Sequence, residues 1–287
     1  MSDMIDDYRR RVVKSLSLGT LTGCSRLAAT LCLPSFHPET LLRVVEGPDG
    51  TSFRLATLTS SLWYSEAGQT PKRLEETVSV CSERASRFWD SVAGLSPQTI
   101  ADDLQHGLDG MSVRCTWRQG SVDSMFETWS PAPESRHGAF IRQIYDLGWE
   151  VLGGKVSIER LEHLHVYLHL GLPVRMIGGR VKCLRIFGSL SSSNEMALRS
   201  LLSTLPKDEP LIVDMTTFDG MGTLLYPAFV EFASSRRWLA WAASNSARRH
   251  VESMGLTDLR IFDTTEDARQ WVAGASGGHD SGTTSRD

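Results

Sequence analysis

The chain has 287 residues, a formal net charge of −4, 41% apolar and 22% charged residues, close to an average soluble protein. That length exceeds what one hydrophobic core usually needs and fits two domains of ordinary size. No run of about 18 apolar residues is present to span a membrane, and a weakly acidic chain without a dense basic stripe lacks the means to neutralise nucleic-acid phosphates.

The five cysteines, Cys24, Cys32, Cys81, Cys115 and Cys183, are odd in number and scattered without CxxC spacing. That suits free thiols in a reducing compartment, so the expected location is cytoplasmic. Arg9, Arg10 and Arg11, followed by an apolar stretch and then Leu21, Thr22, Gly23 and Cys24, have the outline of a lipoprotein signal. Lys14, Ser15 and Ser17 interrupt it, however, and a signal needs about 7 to 15 apolar residues.

Residues 1 to 40 read as a helical lead-in closed by Pro34 and Pro38, whose rings fix φ and remove a backbone donor. From Leu41 the texture becomes strand-like: Leu42 to Val45, a turn at Gly47 to Gly50, then Ser52 to Tyr64 predict a hairpin. Glu75 to Val92 follows the helical period, with Val78, Cys81, Ala85, Phe88, Trp89 and Val92 on one side. A weaker helix is expected near Pro97 to His106. Met111 to Trp117 and Val122 to Trp129 predict a second hairpin, with Pro131 and Pro133 closing it before a helix from Arg136 to Leu152. Ser157 to Leu170 fits a helix through Ile158, Leu161, Leu164 and Leu168, capped by Ser157 and stopped by Gly171 and Pro173. Residues 41 to 170 thus form an α+β domain, and 171 to 179 a linker.

Beyond the linker, apolar runs at Val181 to Phe187, Pro210 to Met215, Trp238 to Ala243 and Leu259 to Phe262 alternate with helical segments at Asn194 to Leu205, Gly222 to Ser235 and Ala247 to Met254. This alternation implies a mainly parallel α/β sheet over residues 178 to 273, joined by right-handed crossovers. The tail from 274 to 287 holds Gly, Ser, Thr and Asp with almost nothing apolar, and is expected to be mobile.

Three stretches of this second domain carry a resemblance. Leu211 to Leu225 is a buried strand ending in Asp214, then a loop with Asp219, Gly220, Met221, Gly222 and Thr223 opening a helix. Ser244 to Leu256 sets Ser246, Arg248 and Arg249 ahead of a short helix closed by Gly255 and Leu256. Ile261 to Ala268, with Trp271, supplies a last strand and helix. In order and spacing these resemble the STAS (anti-sigma-factor antagonist) family over about 95 residues. The resemblance implies partner binding at the strand-to-helix loop, switched when a kinase phosphorylates a serine there and adds negative charge at a helix N-terminus. Met221 stands where that serine is expected, so the usual switch is absent; Thr216, Thr217 and Thr223 keep hydroxyls nearby. The resemblance therefore implies a non-enzymatic bacterial regulator, its contact residues Thr217, Asp219, Gly220, Met221, Gly222, Thr223, Ser246, Arg248 and Arg249, and its partner another regulator or a kinase-like anti-sigma factor. It implies no cofactor.

Two other readings compete. Acids around Asp102, Asp103, Asp109 and Asp123 suit an immunity protein or antitoxin that plugs a toxin's active site. Glu162, His165 and His169 share one helical face, or His163, His165 and His169 one strand face, and either offers ligands to a divalent metal in an enzyme. Gly220 and Gly222 after a strand are a partial dinucleotide fingerprint, but Leu225 replaces the third glycine. Eight tryptophans are many for this length, and Trp117 and Trp129 are the pair to check for exposure.

Overall fold

A computed structural model describes residues 2–16, 23–66, 69–103, 105, 107, 109–179, 181–256 and 260–277, which form two compact units, 1–170 and 171–287. The architecture is mixed α/β and α+β.

The first unit opens with helix α1 (Ser2–Ser15) and strand β1 (Arg26–Pro34). The hairpin β2 (Thr40–Gly47) and β3 (Gly50–Leu58) follows, turning at Gly50, whose φ of +106° a side chain would disfavour. Next come β4 (Arg73–Val80) and α2 (Ser82–Gly94), the hairpin β5 (Met111–Gln119) and β6 (Val122–Trp129), then α3 (Arg136–Val151) and α4 (Lys155–Tyr167). The six strands make one antiparallel sheet in the order β4-β3-β2-β1-β5-β6. Side chains alternate across it with period two. Leu27, Ala29, Leu31, Leu41, Ala56 and Leu58 pack under Val12 and Leu16 of the α1 segment. Ala28, Cys32, Leu42, Val44, Phe53, Leu55, Val113 and Trp117 pack on the other side, against α2, α3 and α4.

Several expectations for this unit are corrected. The helical lead-in ends at Ser15; residues 26–34 are a central strand buried on both faces, so its Leu-Ala-Ala-Thr-Leu-Cys-Leu run never alternates with polar residues. The helix expected from Glu75 begins only at Ser82, because 73–80 form an edge strand whose exposed and half-buried residues alternate. The first hairpin's second strand ends at Leu58, and near Pro97 only a short turn, Pro97–Thr99, forms. Helix α4 is capped by Gly154 rather than Ser157. The Glu76 carboxylate on β4 accepts the Gly153 and Gly154 amides at 3.1 Å. Burial opposes its charge, but the Ser157 hydroxyl and those two amides outweigh it and hold the carboxyl below its ordinary range.

The second unit contains β7 (Val174–Ile177), β8 (Lys182–Ile186), β9 (Gly188–Leu190), α5 (Glu195–Thr204), β10 (Leu211–Met215), β11 (Phe218–Met221), α6 (Tyr226–Ser234), β12 (Leu239–Ala243), α7 (Asn245–Ser253), β13 (Arg260–Phe262) and α8 (Thr265–Gly277). The main sheet runs β13-β12-β10-β8-β7; its first four strands are parallel, and β7 joins antiparallel to β8. The stretch expected to be a linker therefore carries an edge strand, too short at four residues to show a period. Leu184, Ile186, Val213, Met215 and Trp241 face a core built with α5, α6 and α7. Cys183, Ile212, Ala240 and Ala242 face α8 through Ala268 and Val272. Residues 274–277 continue α8, and the rest of the expected tail lies outside the described residues.

Candidate functional site

In an open parallel sheet, ligands and partners meet the carboxyl ends of the strands, and here that edge is organised by Asp214. Its side chain is 2% exposed. Oδ2 takes the Arg185 Nη1 donor at 2.9 Å from the neighbouring position on β8, and the Thr265 hydroxyl at 2.8 Å from the start of α8. Oδ1 accepts the Thr216 amide at 3.0 Å and hydroxyl at 2.7 Å, folding the chain back as it leaves β10. Arg185 Nη2 also donates to the Thr217 hydroxyl at 3.2 Å. One carboxylate thus ties two strands, a loop and a helix together.

The segment read as a loop from Thr217 to Thr223 contains a strand, β11, paired in parallel with β9. Phe218 opposes Gly188 and Gly220 opposes Ser189, so Asp219 between them opposes no residue. This irregularity turns the Asp219 side chain out to solvent, as bulges re-aim residues at sheet margins. The positive φ that the turn requires falls on Gly188, at +58°. Gly222 has φ −68°, and Gly220 is not in the left-handed region either, so neither is there for a strained backbone. A Cβ on Gly222 would meet nothing within 4 Å.

The anticipated contact residues divide into two groups. Asp219, Gly222 and Thr223 are exposed, and Leu224, which the sequence did not single out, is 66% exposed beside them. Met221 is instead buried in the core with Phe218 and Leu225, so it is a packing residue and not a contact. Ser246 is brought to the corner, its hydroxyl reaching the Phe218 carbonyl at 3.4 Å. Arg248 is half-buried and paired with Asp263 at 2.8 Å, while Arg249 is exposed. His250 was also missed: its Nδ1 lies 2.9 Å from the Tyr226 hydroxyl and its ring sits edge-on to Phe218. Nothing in the sequence marks it, because Phe218 and Tyr226 reach it only through the crossover.

The metal constellation does not assemble. Glu162 and His165 are buried on the inner side of α4, with His165 Nδ1 3.1 Å from the Tyr145 hydroxyl. His169 lies past the helix end at φ +49° and is exposed. His163 packs on His37 with ring centroids 4.2 Å apart. Among the described residues no three His, Cys, Asp or Glu side chains converge on a metal position.

The acids proposed to plug a toxin are mostly engaged within the first unit. Asp102 accepts the Glu127 amide at 2.8 Å and the Asp103 amide donates to the Glu127 carbonyl at 2.8 Å, covering the free edge of β6. Asp123 pairs with Arg118 at 2.6 Å. Trp117 is buried against Trp89. Trp129 is half-buried, and a Cβ on Gly107 would stand 2.6 Å from its indole nitrogen. None of the five cysteines forms a disulfide, and burial pushes the Cys32 and Cys183 thiols up to about 12. Among the described residues no helix is long and apolar enough to cross a membrane.

The second unit is thus an α/β layer whose carboxyl edge is ordered around Asp214. No family model matches the chain, and no curated protein matches it. Among solved structures it is similar to an anti-sigma factor antagonist from Mycobacterium paratuberculosis, at 16% identity and TM-score 0.30, over 35% of this chain and 92% of that one. It is also similar to an uncharacterized DUF3478-family protein with a SpoIIAA-like fold from Shewanella loihica PV-4, at 12% identity and TM-score 0.28, over 36% and 94%. A third similarity, to the protein Mglu at 13% identity and TM-score 0.20, covers 52% of this chain and 32% of that one.

Proposed function

We propose that the second unit is a STAS-like domain and that the chain is a non-enzymatic bacterial regulator acting by protein binding. The reading rests on the three motif stretches that resemble the family, and above all on the outward-turned Asp219 with exposed Gly222, Thr223 and Leu224 beside it. The family's serine-based switch has no counterpart at Met221, whose thioether is buried and carries no hydroxyl. The corner therefore presents the exposed Asp219 carboxylate and is competent to bind without phosphorylation. The partner this implies is a kinase-like anti-sigma factor or another regulator.

The test is affinity for a protein partner recovered from the native host and then purified. Asp219→Arg and Leu224→Ser alter only exposed side chains, and each is expected to weaken binding about tenfold or more, as central interface residues do. Full affinity in both variants would overturn the assignment of this corner. Met221 is the wrong position to substitute, since its loss disturbs the core.

A further inference from the structure

A second concave place lies wholly within the first unit, and it is independent of the corner on β11. Phe36 and Pro38 before β2, the turn from Thr59 to Ser65 after β3, Gln69, and Arg160 on α4 line an open groove of about 450 Å³, within the size range of small-molecule sites. Arg160 is the only charged group among the described lining residues. Its Nη1 donates to His163 Nδ1 at 3.3 Å and its Nη2 reaches the Leu58 carbonyl at 3.5 Å, while Nε is sealed from solvent without an acceptor. Among the described residues no carboxylate lies within ion-pair distance of it. Glu159, its neighbour on the helix, attracts it without forming an ion pair, and a half-buried guanidinium so weakly compensated is costly unless something supplies a closer anion.

The surroundings limit what that anion can be. Since arginine can only donate, the His163 nitrogen facing it must be unprotonated, so the pocket holds one positive charge. One planar fork with one charge matches a carboxylate better than a phosphate dianion. The walls are mixed: Thr59, Ser60, Ser61, Ser65 and Gln69 stand beside Pro38 and two flat rings, Phe36 and Tyr64, which are 61% and 62% exposed.

The Tyr64 ring and the Phe36 backbone are held in place. The Tyr64 hydroxyl donates to the Ser35 carbonyl at 2.8 Å, and the Phe36 amide donates to the Tyr167 hydroxyl at 3.3 Å. The turn that bears Tyr64 is anchored by the buried Glu39 carboxylate, which accepts the Ser61 hydroxyl and the Leu62 amide at 3.0 Å and the Tyr8 hydroxyl at 2.8 Å. A site held open before its ligand arrives loses less entropy on binding.

We propose that this pocket binds an organic monoanion, a carboxylate on a flat apolar body, with Arg160 taking the carboxylate and Phe36 and Tyr64 flanking the body. The carboxylate could belong to a free small acid or to the end of a peptide that closes on an aromatic residue. Calorimetric titration of the full chain tests this with 3-phenylpropionate, its neutral amide, inorganic phosphate, and acetyl-Gly-Gly-Phe as free acid and as amide. Both free acids are expected to bind, the better with Kd below about 1 mM, and each amide at least about tenfold more weakly. The tighter of the two acids identifies the source.

Arg160→Gln should lose about tenfold in affinity. Because that change touches a half-buried group, Tyr64→Ala is the second variant, expected to lose several-fold with the thermal midpoint nearly unchanged. Equal binding of acid and amide, phosphate binding as tight as the acids, or no binding of either acid at about 10 mM, well above the expected range, would overturn the proposal.

Discussion

Each unit of the molecule anchors a loop on a buried carboxylate, Glu39 in the first and Asp214 in the second, and the two are satisfied in opposite ways. Glu39 in the first unit is met only by neutral donors, two hydroxyls and an amide, with Oε1 accepting from all three. Asp214 in the second faces a cation, Arg185, at 2.9 Å, besides hydroxyls from Thr216 and Thr265. The difference shows what each loop depends on. A carboxylate held by neutral groups can be replaced by a neutral acceptor at moderate cost, whereas one opposed by a charge leaves that charge stranded when removed.

The largest expected effect follows from Asp214. In Asp214→Asn the Arg185 guanidinium keeps its burial and loses the 2.9 Å ion pair with Asp214, which should cost about 3 kcal/mol. Native-state hydrogen exchange at the Ile212 and Val213 amides reads this cost within the second unit alone. Glu39→Gln is expected to cost about 1–2 kcal/mol, read at the Leu42 and Val44 amides, because Gln keeps the oxygen that accepts all three donors. If Glu39→Gln proved the more damaging of the two, the contrast between the carboxylates would fail.

A pH series sharpens the same contrast from the side of a base. Burial first, then the neighbouring His37 and Arg160 charges, lower the His163 pKa to about 4. The folded form therefore binds its proton later than the unfolded chain does. The stability contributed is complete above about pH 6.5, the unfolded value, and is lost as pH falls from there through about 4. Solvent screening of this partly exposed ring reduces the effect to about 1 kcal/mol. His163→Gln should flatten the first unit's stability between those pH values, and an unchanged slope would remove His163 as the cause. The smallest effect belongs to Asp219→Ala: its side chain is exposed and opposes no strand residue, so stability should move by less than about 0.5 kcal/mol.

How far the sequence announces these features depends on where their partners lie in the chain. The second unit's strands are readable because Leu211–Met215 and Leu239–Ala243 are short, fully buried apolar runs between helical stretches. Both hairpins of the first unit are readable from Gly50 and Gly120 at their turns. β1 is not, because burial on both faces erases alternation and its alanines and leucines suit a helix equally. β4 is misread for the opposite reason: as an edge strand its charged residues mimic the polar face of the helix that follows. At the corner, Asp219 is legible through the family resemblance, but the burial of Met221 is not, since it depends on a strand of four residues pairing with one of three. The Arg160 pocket has no local signature, its lining coming from positions 36, 38, 59 to 61, 64, 65, 69 and 160. The cap on α4 is equally hidden, because Glu76 lies 78 residues before Gly154.

The position of β1 also bears on how the chain can be made. It is bonded on one side to β2, next in sequence, and on the other to β5, which begins only at Met111. During synthesis from the N-terminus, β1 through β4 can zip together early, but one flank of the doubly buried β1 stays unpaired until β5, which begins about thirty residues after β4 ends, has emerged. Such an open flank templates pairing with other chains. Nascent or truncated products that stop short of β5 are therefore the forms of this protein most prone to clump, and a stop codon before Met111 should yield inclusion bodies where the full chain stays dispersed.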